Sequence, residues 1–442
     1  MSRLGASMLG VLVFSGCAHY NTLYNSERLY QEAEGLRVEG NDSTAEQRYR
    51  DVVRKTADAY RSGRTGDRSA RTLFLLGRAQ LRIGQPREAR GALAQAASLM
   101  SEPGLRPQIL VYQALASARI GEEAAARTLL EEAFAAGLTG RPLGEAHLLR
   151  GRLRLSKGNT DDGWDDLDQA AGADPGVAVE AGVERLGWSI RYGDLSRARY
   201  ALERLLLMGE AGERLDTISV LTSSAAAQWS PSVAATLLGD VDSAPWDPAA
   251  RSRLGLQQAK LLHLAGDTAA AEAQAWRVAR GRGQAVAQAR ILLSTWRLDR
   301  TRDLNEAQAV VPILLPAGDD PSVVELLEAV EALHRYSDVG LDQPLGWFAA
   351  AEVARDRLGA PILARGLFLA YADTDPSDAW APKALLAALN VSVDREDQTW
   401  LRGRLEAHRN SPYVQAARGE SASGFEALEE ELRVRLSEIA TR

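Results

Sequence analysis

The 442-residue chain holds one cysteine, Cys17, inside the stretch "FSGCAHYNTLYNSERLYQEAE" at residues 14 to 34. A single thiol has no internal disulfide partner and no second sulfur with which to share a metal, so its chemistry is local. Before it the chain reads "MSR", with a positive charge at Arg3, and then "LGASMLGVLVF", an apolar run too short to span a bilayer as a stable helix. The small residues Ser15 and Gly16 follow. A charged start, a hydrophobic middle and small residues at a cut describe a signal peptide over residues 1 to 16. Cys17 then stands first after the cut.

Other reactive groupings are sparse. His19, His147, His263, His334 and His408 are scattered, without an H-E-x-x-H spacing. The chain has no P-loop, no G-x-S-x-G elbow and no dinucleotide glycine fingerprint. The densest carboxylate run, "NTDDGWDDLD", carries Asp161, Asp162, Asp165, Asp166 and Asp168 but lacks the spacing of a calcium loop. It reads as a solvated helix start behind Thr160 as N-cap, where the helix dipole favours acids. The expectation is no enzyme activity, no catalytic residue, no metal and no cofactor. A net charge of -7 gives no electrostatic case for nucleic acid.

The elements that would present partners to one another are helical. Aromatic residues make up only 6% of a chain that is 45% hydrophobic, with alanine and leucine recurring, whereas strands favour β-branched and aromatic residues. Short phrases repeat: "LRIGQPREA", "ARIGEEAAA", "LSKGNTDDG", "IRYGDLSRA", "HLAGDTAAA", "DRLGAPILA". Each pairs a glycine with a small residue five positions on: Gly84/Ala89, Gly121/Ala126, Gly158/Gly163, Gly193/Ala198, Gly266/Ala271 and Gly359/Ala364, with Gly40/Ala45 before them. From Gly84 the glycine spacings are 37, 37, 35 and then 73, which is two periods. That period places further turns at Ser230, Arg302 and Arg395.

A glycine at each turn ends a first helix through positive φ. The small residue lets the second helix cross at about 8 Å. Four positions later, apolar residues such as Leu93, Leu130, Leu167, Leu202 and Phe368 fill the core. Small partners, among them Gly77, Ala114 and Gly151, lie seven before the turn. Most of the nine tryptophans fall in helices at core spacing, which assigns them to packing.

Two features resemble known families. "FSGC" resembles the lipobox of bacterial lipoproteins, Leu-(Ala/Ser)-(Gly/Ala)-Cys, with Phe14 in place of Leu. The resemblance implies a diacylglycerol on Cys17 and an acylated new amino terminus, and more than one chain is what stable anchoring requires. Ala18, rather than Asp, implies sorting to the outer membrane, facing the periplasm. The repeats resemble the tetratricopeptide repeat (TPR), and "FLLGRAQLRIGQPREARGALAQAA" at residues 74 to 97 follows its pattern most fully. This implies an all-α, right-handed TPR-like solenoid of about nine to ten helix-turn-helix repeats, stacked because one unit cannot bury its apolar face alone.

The rhythm divides the chain as 1–16 signal peptide, 17–315 amino-terminal array, 316–344 extra helix and joint, 345–419 carboxyl-terminal repeats, and 420–442 capping helix. The last places Phe425, Leu428, Leu432, Leu436 and Ile439 on one face.

First helices line the concave face of TPR arrays. Counting back from the turn glycines gives Arg78, Arg82, Arg119, Arg152, Arg191 and Lys260 as groove-facing cations. They suit an acidic segment or a free carboxylate on a partner peptide, or else they pair with neighbouring acids. Phe74 and Val111 stand where the carboxylate clamp of chaperone-binding TPR domains has a cation. The combined expectation is an anchored scaffold for other envelope proteins or peptides. It is similar to the TPR lipoprotein of the outer-membrane barrel-assembly machinery, which makes barrel assembly the alternative role. An envelope glycan-active enzyme is a second alternative, one that requires a paired acid and base the chain does not display.

Overall fold

Seven glycines fix the architecture. Gly40, Gly84, Gly121, Gly158, Gly193, Gly266 and Gly359 all have positive φ, between 60° and 85°. After six of them the next residue donates its N–H to the carbonyl five positions back, as Gln85 does to Gln80 at 2.9 Å and Glu122 to Ser117 at 2.9 Å. That bond closes the first helix, and the chain reverses into the second. The computed structural model describes residues 22–37, 40–61, 66–239, 241–281 and 283–440, and Cys17 with the whole signal-peptide reading lies outside them. The described residues are helical, with no strand among them, and consecutive helices pack as hairpins.

The chain divides into two compact units, Met1–Leu254 and Gly255–Arg442. In the first, hairpins form from α1 (22–37) and α2 (Asp42–Arg61), α3 (Asp67–Arg82) and α4 (Pro86–Leu99), and α5 (Arg106–Arg119) and α6 (Glu123–Ala135). They continue with α7 (Gly140–Ser156) and α8 (Thr160–Ala173), α9 (Pro175–Tyr192) and α10 (Leu195–Leu206), and α11 (Leu215–Gln228) and α12 (Pro231–Leu237). The small residues sit where the helices touch. Ala89, Ala126 and Ala198 are fully buried, and so are Leu93, Leu130 and Leu202 one turn further on. A Cβ on Gly77 would stand 2.5 Å from Leu93 Cγ, and one on Gly151 would stand 3.1 Å from the Gly163 carbonyl. The first helix thus has no room for a side chain at its crossing point.

The division falls within α13 (Pro248–Leu264). The second unit continues with α14 (Thr268–Ala279), α15 (Gln284–Leu298), and the short α16 (Leu304–Gln308) and α17 (Val311–Leu314). The segment 316–344, read from sequence as a joint, lies inside this unit and contains the 22-residue α18 (Pro321–Asp342). α18 packs on α19 (Leu345–Asp356), and α19 on α20 (Pro361–Thr374). α21 (Ala381–Val391) pairs with α22 (Arg395–Glu406), and α23 (Pro412–Ala417) precedes α24 (Phe425–Ala440).

α24 buries Leu432 and Ile439, and lays Phe425, Leu428 and Leu436 against the same apolar cluster. Lys383 reaches Glu429 on it at 2.7 Å, and the Trp380 indole N–H donates to the Leu428 carbonyl at 3.1 Å. Within this unit it packs on α18, α19 and α23.

Of the turns placed by period alone, Ser230 and Arg302 fall between helices and their partners Ala235 and Ala307 are buried. Arg395 does not fit. It is already the first residue of α22, and Trp400 is 48% exposed. Here the reversal is made without glycine: Ser392 bonds back to the Ala388 carbonyl and Asp394 caps α22 through the Glu396 N–H. Pro175 and Pro412 open α9 and α23 as first helical residues, where a missing N–H costs nothing.

A basic cavity on the first-helix face

Six arginines converge in the first unit. Arg37, Arg78, Arg82, Arg119, Arg152 and Arg214 line a cavity of about 370 Å³ together with Glu145, Glu180, Glu184 and Tyr112. They come from α1, α3, α5, α7 and α9 and from the turn before α11; no second helix of a hairpin contributes. This is the face that the repeat register assigns to partner binding. Six guanidinium groups oppose three carboxylates on its walls.

Behind that lining lies a buried ion-pair network centred on Glu34, which is 5% exposed. Its carboxylate accepts from Arg82 Nε at 2.7 Å, Arg141 at 2.7 Å and the Tyr49 hydroxyl at 2.8 Å. Burial alone would raise its pKa, but Arg82, Arg141 and Arg37 hold it well below the usual carboxylate range. Arg37 also pairs with Glu180 at 2.8 Å, so α1 is tied to α7 and α9, residues more than one hundred positions away. Burial likewise works against ionised Glu180, and Arg37, Arg82 and Arg214 overcome it. Buried carboxylates survive only with such partners.

The network changes the expected run of cations. The first helix draws the face closed, and the cations meet around a pocket at the small end of the range for ligand sites. Arg82 and Arg152 are largely committed, to Glu34 and to Glu184 at 2.8 Å. Among the described residues Arg119 finds only the Leu81 carbonyl; partial burial and the neighbouring Arg82 and Arg152 charges press its pKa down. Arg78 has no hydrogen bond or ion pair among the described residues, and its Nε is buried without an acceptor. Its guanidinium carbon instead lies 4.3 Å from the Tyr30 ring centre, 5.0 Å from Tyr112 and 5.4 Å from Phe74.

Two sequence candidates fall elsewhere. Arg191 is exposed and stacks over Trp188 at 4.5 Å rather than entering the cavity. Lys260 is exposed on α13 in the second unit. Conversely, reading only cations missed Glu34, Glu145 and Glu180. The signal was present: Glu34 stands six before Gly40, as Arg78 does before Gly84, and Glu145 and Glu180 each stand thirteen before their turn glycine.

The aspartate run also departs from expectation. Asn159, not Thr160, precedes α8, and Asp166 is buried rather than solvated. It accepts from Arg150 at 2.7 Å, Arg154 at 2.8 Å and pairs with His147 at 2.8 Å. Burial opposes its charge, but the His147 and Arg150 hydrogen bonds and the arginine charges hold its pKa down. It fastens α7 to α8. Among the described residues no group of three or more His, Cys, Asp or Glu is placed to hold a metal ion. No described helix is long and apolar enough to cross a membrane.

The second unit has a cavity of about 380 Å³ with the opposite lining, Asp342, Asp375, Asp378 and Glu438 against Arg435. Asp375 and Asp378 serve the turn there, accepting from the Ser377 and Trp380 N–H groups.

No family model matches the chain. No curated protein matches it by sequence. Among solved structures, the crystal structure of the P58(IPK) TPR domain is similar over 77% of this chain and 99% of that one, at 14% identity and a TM-score of 0.21. The repeat architecture rests on the hairpins themselves.

Proposed function

We propose that the protein is a non-catalytic interaction scaffold whose first unit receives an acidic group of a protein partner on its first-helix face. One observation carries the reading: five arginines from successive first helices and a sixth, Arg214, from the turn before α11 line a single cavity against three carboxylates. A surplus of guanidinium at a water-accessible pocket favours an anionic partner and speeds its approach. The address belongs to the same proposal. The "FSGC" stretch supports acylation at Cys17, and Ala18 supports the periplasmic face of the outer membrane as the anchored site.

Two measurements test this. A photo-crosslinking residue in place of Leu115, which lines the cavity, should capture a defined envelope protein. The double change Arg119→Gln and Arg152→Gln, which removes two charges without setting a new carboxylate against Glu184, should abolish that capture, with circular dichroism checking that the helices persist. No capture, or capture indifferent to the charge removal, overturns the binding face. Recovery of a barrel insertase would assign the partner to barrel assembly. Mass spectrometry of the mature amino terminus should find an acylated Cys17, and a bare thiol removes the address.

A further inference from the structure

Arg78 is anomalous among the cations of the first unit. Each of the other five arginines lining the basic cavity has an oxygen partner: Arg37 and Arg214 have Glu180, Arg82 has Glu34, Arg119 the Leu81 carbonyl and Arg152 Glu184. Arg78 has none among the described residues, and no carboxylate oxygen lies within 4.0 Å of it. A guanidinium carries five donors, all in its plane. Tyr30, Tyr112 and Phe74 surround it with aromatic surface, which holds the cation through its ring faces and leaves its N–H donors without an oxygen acceptor.

A second donor stands beside it. The Tyr30 hydroxyl belongs to a fully buried side chain and has no acceptor among the described residues. Buried donors without acceptors are rare in folded proteins and ask for a partner. Arg78 also faces two cavities at once. One is the basic cavity; the other, of about 580 Å³, is walled by Tyr24, Tyr30, Phe74, Leu75 and Leu105. In that second cavity Arg71 and Glu102 neutralise one another at 2.6 Å; Glu27, Arg28, Gln31 and Gln108 also line it, beside the aromatic and apolar wall.

We propose that Arg78, with the Tyr30 hydroxyl, is the receptor for one carboxylate of a partner segment whose adjacent aromatic side chain enters the cavity of Tyr24, Phe74 and Leu105. This rests on the reading of the first unit as the partner-binding face, and names what that face recognises. A carboxylate is planar and accepts two parallel hydrogen bonds from a guanidinium edge. It balances the single charge of Arg78. A phosphate dianion would overcompensate it close to the buried carboxylates Glu34 and Glu145.

Titration of the full chain with three probes tests the assignment: acetyl-Phe-Glu-amide, acetyl-Gly-Phe with a free carboxyl end, and the neutral acetyl-Phe-Gln-amide. At least one acid should bind at least tenfold more tightly than the neutral peptide, and which one does so identifies a side-chain or a chain-end carboxylate. Arg78→Gln should lose at least tenfold for that acid while the protein stays folded at the assay temperature, because no hydrogen bond or ion pair among the described residues is broken. Arg78→Lys should recover only part of the loss.

The proposal is overturned by equal binding of the neutral peptide, by no binding of either acid, by unchanged affinity in Arg78→Gln, or by displacement of the acid with equimolar inorganic phosphate. A melting temperature that falls in Arg78→Gln, with affinity kept, makes the residue structural only. Partner capture at position 115 that survives Arg78→Gln overturns this assignment and leaves the scaffold. Tight acid binding without any captured partner does the reverse.

Discussion

In the first unit three carboxylates, Glu34, Glu145 and Asp166, are buried among arginines. Among the described residues of the second, the buried polar side chains are Gln274, Ser294, Thr301, Ser337 and Ser392, all uncharged, beside a continuous apolar cluster running from Ala287 to Leu432. The same hairpin, closed by glycine and pressed together through alanine, serves both. Apolar packing is non-directional and tolerant. A buried ionic network is demanding, since each member must keep its partners or leave an uncompensated charge. At Glu34 and Glu145 the first unit has accepted that demand at and behind the wall of its cavity, where a polar surface can discriminate among ligands; at Asp166 it fastens α7 to α8. In the second unit the buried face is adhesive.

The contrast predicts different weak points. Glu34→Gln should be the most damaging single change in the first unit, costing about 3–5 kcal/mol by removing the buried charge that Arg82, Arg141 and Arg37 share. Hydrogen exchange should show lost protection in α1, α3 and α7 and none in α19 to α21. Equal loss everywhere, or none, would erase the distinction. In the second unit the sensitive place is steric. A Cβ on Gly346 would lie 2.4 Å from the Gly340 nitrogen and 2.7 Å from the Tyr336 carbonyl, both backbone atoms that cannot swing aside. Gly346→Ala should therefore cost about 1–3 kcal/mol, read from urea denaturation. Gly84→Ala should cost less, about 1–2 kcal/mol, because nothing lies within 4 Å of the new methyl and only the positive φ of 74° resists it.

How much of this could be read in the chain follows from what each signal depends on. The hairpins were legible because a positive-φ turn and a tight crossing restrict residue type at fixed spacing, and Gly84, Ala89 and Leu93 report one local geometry. Where that geometry was made by other means, as at Ser392 to Asp394, the period slipped by a few residues. The cations of the site were legible through the same register, as Arg78, Arg82, Arg119 and Arg152 attest. Their partners were not, because Glu34 meets Arg141 and Arg37 meets Glu180 only through the path of the superposed hairpins, which no local spacing encodes. Arg191 shows the converse limit. It occupies the same register as Arg82 but leans on Trp188, a local attraction that the register ignores.

Acidification offers the finest test of the difference, because the largely buried carboxylates Glu34 and Glu180 of the first unit and Glu352 of the second are shifted in opposite senses. Asp356 and Asp375 of the second unit, lowered by local hydrogen bonds, are mostly exposed. Glu34 and Glu180 have folded pKa values below the ordinary Glu value, held there against burial by arginines. Their contribution to stability is present above the unfolded pKa and is lost as pH falls toward the folded one. Glu352, on α19, is raised above the ordinary value because burial outweighs the attraction of Arg355 and Lys383. The folded second unit therefore keeps that proton to higher pH than the unfolded chain does, and its stability declines as pH rises through that window. Between neutrality and moderate acid, hydrogen exchange corrected for intrinsic rates should show protection falling in α1 and α9 and holding or rising slightly in α19. Salt should weaken the first effect only a little, since buried pairs are poorly screened. Parallel slopes in the two units would mean that the arginines around Glu34 do not outweigh its burial, and the ionic account of the first unit would fail with them.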